Sequence, residues 1–281
     1  MSTNDDAAPP VVSTAEALQL ARDRERAARE RLSRVHGERE VQAALLALLL
    51  PRGSKRARMV WRAETVEVPH AKLLLDDVTA LSGPARLPWF EWFLARMAGT
   101  PLAARTALLE STRRVMIARN RIRPLDRLHW LVMRQRLGEQ AFFGPRTGAD
   151  SDISQLPESA VMAIAGFTAF LAGMVPEPGS SVAGPTWYAT VMAPWQHRAD
   201  VPACVAPHVD ALVLALHGLR ALPWLQRPVL VRGWVAAAVK HSRHGQLDAT
   251  AADALRLSCT LLDSPLPPDL AQHFTEAAAT S

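Results

Sequence analysis

The sequence predicts an all-α fold, with two related helical-hairpin units packed into one multi-helix body. Three observations carry that prediction. Apolar residues make up 49% of the 281 positions, but Ala and Leu dominate. There is one Tyr and β-branched runs are few, a mixture that favours helix. Pro, Ser or Thr opens several apolar periodic segments and Gly closes others, the punctuation of helix ends. A helix–turn–helix pattern also occurs twice. At this length roughly 75% of the unfolded surface can be buried, so the core needs neither disulfide nor metal.

Residues 1–12 read as a disordered leader, polar and then Pro-rich, without the pattern of a signal peptide. Residues 13–37 read as a charged helical arm. Ser13 and Glu16 have capping-box spacing, and Gly37 breaks the helix. The arm's second half has mixed charges and little apolar surface, which fits a solvated arm or a partner-docking helix. The first helical unit spans 38–142. In it EREVQAALLALLL (38–50) turns wholly apolar and should enter the core. PRGSKRAR (51–58) reads as a basic, solvated loop, and MVWRAETVEV (59–68) fits a short strand or a helix equally. Pro69 opens the next helix. RLPWFEWFLARMAG (86–99) follows, with Trp89, Phe90, Trp92 and Phe93 at the spacing of a core stripe. Thr100 and Pro101 read as N-cap and first helical residue of a helix that ends before the turn NRIR. Pro124 opens another helix, which Gly138 ends.

Residues 143–156, rich in Gly, Asp and Ser, form the linker. The second helical unit spans 157–270. SAVMAIAGFTAFLAGMV (159–175) carries no charge but is about one turn short of the ~20 residues a membrane span needs. It therefore predicts a buried core helix. After a Pro/Gly/Ser loop at 176–185 and TWYATVMAPW, helices should cover about 207–221, 226–242 and 249–262. Residues 271–281 form a tail.

The hairpin at 101–138 has a counterpart at 226–262. Placing Ile122 on Leu247 offsets the two by 125 residues. Each is preceded by a Leu-Pro-Trp: Leu87-Pro88-Trp89 and Leu222-Pro223-Trp224. A lone helical hairpin needs a neighbour to bury its inner face, so two such hairpins packed together make a natural body.

Charge is uneven. Residues 1–150 hold 25 Lys+Arg against 17 Asp+Glu, and residues 151–281 hold 7 against 10. The halves are +8 and −3, the whole +5. This asymmetry points to an anionic partner, with Arg-rich solvated helix faces as the plain alternative. Arg113, Arg114, Arg119, Arg121, Arg123 and Arg127 crowd one hairpin end, where guanidinium groups would grip phosphates or carboxylates. No exposed aromatics are interleaved with them for reading nucleic acid.

Cys204 and Cys259 read as buried, reduced thiols. His241 and His244, at i, i+3, have Lys240 and Arg243 beside them and read as surface side chains at a helix end. Asp76 and Asp77 are adjacent on a helix, point about 100° apart and read as exposed. No phosphate-loop, dinucleotide or nucleophile-elbow motif is present. The sequence thus assigns no catalytic residue, cofactor or metal ligand.

GQLDATAADALRLSCTLLDSPLPP (245–268) resembles the end of the long extension of some bacterial membrane-embedded zinc metallopeptidases. That group includes CAAX prenyl proteases and the HtpX heat-shock peptidases. In the extension a helix leads into D-G-x-[VIL]-[ST], an acidic residue, L-L-R and a final L-D-C-P-L-P-P. The matching positions here are His244-Gly245-Gln246-Leu247-Asp248, Asp253, Leu255-Arg256 and Leu262-Asp263-Ser264-Pro265-Leu266-Pro267-Pro268. The first hairpin fits through Arg119-Asn120-Arg121-Ile122 and Asp126. The likeness covers about 38–270, and the closing L-D-S-P-L-P-P is its most specific part. The hairpins are similar, more weakly, to TerB-like helical domains. The chain departs from the pattern where His244 and Arg119 replace the turn Asp and Ser264 replaces the Cys. H-E-x-x-H, which would supply two zinc ligands and a general base, is absent. Its nearest string, His36-Gly37-Glu38, lacks the second His.

The resemblance implies a non-enzymatic, regulatory helical protein that acts by protein–protein contact, a stand-alone relative of the peptidase extension. Its implied partner is a membrane metallopeptidase or another membrane-proximal complex, with no small-molecule substrate. Its implied place is the cytoplasm, at the periphery of the inner membrane. The charge pattern supports an alternative, an anionic-surface module that binds nucleic acid or acidic lipid through the Arg-rich N-terminal half.

Overall fold

The computed structural model describes residues 13–119, 121–138, 152–175, 184–197 and 200–277. Among these residues the regular structure is thirteen α-helices and two short 3-10 turns, with no strand. The expected leader, most of the linker and most of the loop after Val175 lie outside the described residues.

Helix α1 (Thr14–Ser33) opens on the expected capping box. Ser13 N–H donates to Glu16 Oε2 (2.9 Å), and Glu16 N–H donates to Ser13 Oγ (3.2 Å). The first half of α1 stands in solvent. The second half buries Ala28 and Leu32 against α4 (Ala71–Ala80). Arg31 forks onto Asp77 of α4 at 2.6–3.1 Å. Asp77, read from the sequence as exposed, is therefore buried, and only Asp76 faces solvent. A carboxylate can be buried when a guanidinium arrives to meet it.

Helix α2 (Glu38–Leu49) enters the core as its run of Ala and Leu demands. Helix α3 (Lys55–Glu64) takes up half of the expected basic loop and the ambiguous segment after it. Ser54 Oγ accepts from Ala57 N–H and starts the helix (3.2 Å). Trp61 then buries its ring and donates Nε1 to Ala43 O of α2 (3.0 Å). Helix α4 begins two residues after Pro69, because His70 turns left-handed (φ 56°) before it.

Helix α5 (Gly83–Ala98) carries the aromatic stripe, with Trp89, Phe90 and Phe93 buried. Arg86 in it donates Nη1 to Val78 O and Nη2 to Leu48 O, each at 2.9 Å. One half-buried guanidinium thus satisfies C-terminal carbonyls of α2 and α4 together. Burial, helped by Arg52, lowers its pKa to about 10, so it stays charged at neutral pH. Pro88 sits inside α5 and lacks the N–H that would bond Pro84 O. That carbonyl accepts the N–H of Thr275 instead, at 3.1 Å.

Helices α6 (Leu102–Ile117) and α7 (Pro124–Leu137) pack as the first hairpin. Thr100 does not cap α6. Its Oγ1 donates to Met97 O (2.8 Å), closing α5, and Pro101 takes the N-cap position. Helix α8 (Glu158–Ala172) is the expected buried helix, packed among α9 (Pro185–Met192), α10 (Val209–Ala221) and α12 (Ala249–Leu261). Among the described residues no helix is long and apolar enough to cross a membrane. Small residues let α8 and α10 approach: Gly166 meets Ala215, and Gly218 lies against Ala163. Trp187 donates Nε1 to Trp234 O (3.1 Å). Trp234, stacked on Phe167, donates Nε1 to Thr168 Oγ1 (3.1 Å).

Helices α11 (Gln226–His241) and α12 pair as the second hairpin, and α12 lies along α7. The second helices of the two hairpins begin at Pro124 and Ala249, 125 positions apart, as the alignment of Ile122 on Leu247 expects. The aligned residues differ in burial, since Leu247 is buried and Ile122 is 45% exposed. The two Leu-Pro-Trp triplets are not equivalent either. Pro88 continues a helix and Trp89 is buried, whereas Pro223 separates α10 from α11 and leaves Trp224 exposed.

The closing motif ends α12. Asp263 adopts a left-handed φ of 49°, and Ser264 N–H reaches back to Cys259 O (3.0 Å). This is a Schellman-type stop with Asp at the position Gly usually fills. The Asp263 carboxylate faces Arg136 of α7 (3.5 Å) and Arg220 of α10 (3.9 Å), so the motif ties three helices. Helix α13 (Pro268–Ala271) follows, and the tail then crosses back to α1 and α5.

Candidate functional site

The structure divides the six arginines singled out in the sequence. Arg114 forks onto Glu64 of α3 at 2.5 and 2.8 Å, and that hydrogen bonding holds the Glu64 carboxyl below its usual range. Arg119 is buried and pairs with Asp126, and Arg123 reaches the same carboxylate at 3.4 Å. Arg123 N–H also donates to Asp126 Oδ2 (3.0 Å), so Asp126 caps α7 from its first turn. Burial opposes ionisation of Asp126. The Arg119 and Arg123 hydrogen bonds outweigh it and keep the pKa below the ordinary value. Arg119 and Arg123 hold the hairpin together, and Arg114 ties it to α3. The side chains of Arg113, Arg121 and Arg127 form no ion pair among the described residues.

Arg113 and Arg127 border a groove of about 460 Å³ between α6, α7 and α10. Helix α6 contributes Arg113, Met116 and Ile117 to it. Helix α7 contributes Arg127, Trp130 and Leu131, and α10 contributes Val209, Leu212 and Val213. Each set has i, i+3, i+4 spacing, the pattern of one helix face. Ile122, in the α6–α7 turn, completes the lining.

The lining holds two guanidinium groups and eight apolar side chains. Guanidinium stays protonated and cannot act as a base, and none of the eight is a nucleophile. The arrangement suits binding rather than bond making. His129, on α7 and packed edge-to-face on Phe90 of α5, adds no charge at neutral pH. Burial lowers its pKa to about 4, and its Nδ1–H donates to Leu125 O (2.9 Å).

A second pocket of about 390 Å³ lies under the closing motif, lined by Glu91, Arg256, Cys259, Thr260 and Asp263 among others. Its charges answer one another: Arg256 pairs with Glu91 (2.8 Å) and Glu276 (2.6 Å). Burial pushes the Cys259 thiol up to about 12, which removes it as a thiolate nucleophile. Cys204 is only half-buried, in contrast to the sequence reading.

Comparison outside the chain adds nothing to this geometry. No family model, curated protein or solved structure matches the chain. The resemblance to the peptidase extension rests on the residues quoted for it.

Sequence reasoning found Arg113 and Arg127 but missed the apolar half of the site. Two parts were readable, because Arg113-Met116-Ile117 and Arg127-Trp130-Leu131 share the same spacing on paired helices. The third wall was not. Val209 begins a helix some eighty positions downstream, and only tertiary packing sets it opposite the hairpin.

Proposed function

We propose that this chain is a non-catalytic helical interaction protein that docks a polypeptide partner in the groove between α6, α7 and α10. The observation that carries the reading is an open apolar slot bordered by two guanidiniums that form no ion pair among the described residues. Buried interface centres combine apolar contact with Arg in this way. The regulatory role and the tie to a membrane metallopeptidase follow from the resemblance, and the two hairpins are read as related TerB-like units on the same ground. The anionic-surface alternative is weaker, because three of the six arginines are already held by Glu64 and Asp126.

Site-specific photo-cross-linking in the native cells tests the reading. A photoreactive side chain at Ile122 should capture one discrete polypeptide, and one at exposed Lys72 on α4 should not. Arg113→Glu with Arg127→Glu should abolish the capture. Equal capture at both positions, capture indifferent to the charge reversal, or none at Ile122 would overturn it.

A further inference from the structure

We infer that the groove takes an amphipathic α-helix of about three turns, with carboxylates flanking its apolar stripe. The inference rests on the docking reading above and names the partner's chemistry.

Shape selects the occupant first. The slot is walled by three helices, each presenting a single i, i+3, i+4 face, with Ile122 at one end. A fourth helix laid in it would meet each wall as helices meet in a bundle. The rim selects next. Ile117 is 59% exposed and Val209 54%. A single acyl chain lying in the groove would leave much of that apolar rim wet, whereas a helix about 10 Å across covers both sides.

Charge selects last. Arg113 and Arg127 head two of the three faces, and among the described residues no carboxylate lines the groove, so the occupant brings the negative charge. Arg113 lies one turn before the end of α6 and Arg127 in the first turn of α7. The hairpin is antiparallel, with Thr112 level with Met133 and Arg119 level with Asp126, so Arg127 borders the turn end of the stretch that α6 and α7 line and Arg113 its far end. The partner's carboxylates therefore belong one towards each end of its apolar stripe, and not gathered at one half of its helix.

Fluorescence anisotropy with labelled 18-residue peptides against the full chain tests this. One helical peptide carries Leu at i, i+3, i+4 and i+7 with a Glu beside the stripe at each end. A second carries Lys in place of Glu, and a third keeps the Glu but scrambles the Leu stripe. The Glu helix should bind about tenfold tighter than either of the others and weaken with salt. Arg113→Ala and Arg127→Ala should each cut that preference several-fold, while Arg26→Ala on α1 leaves it unchanged. All three changes are on exposed or half-buried side chains, and circular dichroism melts confirm that each variant folds.

Equal binding of the Lys helix, indifference to the two Arg variants, or no binding of the Glu helix at 0.5 mM would overturn the inference. So would palmitate displacing a groove-bound probe where the Glu helix does not, or self-association of the free chain that Ile122→Glu abolishes. Any of these with the Ile122 cross-link intact removes the acidic helix and leaves the docking reading standing. Loss of the cross-link removes both.

Discussion

Asp126 does two jobs with one carboxylate. It accepts the Arg123 N–H at the start of α7 and neutralises buried Arg119. Asp126→Ala should therefore cost about 3–5 kcal/mol, most of it from a stranded guanidinium. Asp126→Asn should cost less, because an amide oxygen still caps the helix. Urea midpoints of the three proteins check the order. A second acid behaves oppositely. Burial raises Asp253 of α12 to about 7, with Asp248 and Glu91 adding to the rise and Arg256 and Arg86 opposing it. Its folded pKa lies above its unfolded one, so its protonated form favours the native state. That stability is full below pH ~4 and is lost as pH rises through about 7. His129 has the reverse sign, since its folded pKa of about 4 lies below its unfolded value of ~6.5. Its contribution is full above pH ~6.5 and is lost as pH falls through about 4. The two slopes oppose each other across pH 4–6.5. Asp253→Asn should gain on the order of 2 kcal/mol at pH 8 and nothing below pH 4, and should uncover a rise in stability between pH 4 and 6.5. Guanidinium-chloride melts across that range will show it.

Among the helices, the α8–α10 crossing is the closest fit. A Cβ on Gly218 would come within 2.6 Å of Ala163 Cβ, although Gly166 leaves ordinary contact distance to Ala215. Ala raises helix propensity at either site by about 1 kcal/mol, and only Gly218 sets a clash against that gain. Gly218→Ala should lose about 1–3 kcal/mol, while Gly166→Ala should be near neutral or stabilising. Thermal melts of the pair decide it. Most helices were legible in the sequence because their end signals are local. Ser13 with Glu16, Pro124 with Gly138, and the unbroken apolar run of α8 each speak within a few residues. Thr100 misled for the same reason. Its hydroxyl could serve the helix behind it or the one ahead, and the carbonyl of Met97 was nearer to hand.

Across the whole molecule, distant partners decide what sequence could not. Asp77 reads as exposed until Arg31 is brought to it by the α1–α4 packing, and Arg114 reads as free until α3 supplies Glu64. The tail acts over the same long range. Glu276 pairs with Arg256, its backbone oxygen accepts from Arg29 of α1, and Phe274 lies under the Arg256 guanidinium at 4.6 Å. Removing residues after Leu270 should cost about 2–4 kcal/mol, and faster amide exchange should appear in α1 and α5. Exchange measured by mass spectrometry would refute this if those two helices kept full protection.

The proline inside α5 has a kinetic corollary. The Pro84 carbonyl it orphans waits for the amide of Thr275, 191 positions on, and such closures come late because so much loop entropy must first be surrendered. The opening helices therefore acquire their final lock only after the remainder has condensed. A protease nick at the Pro-rich stretch 265–268 would be felt far from the cut, in α1 and α5.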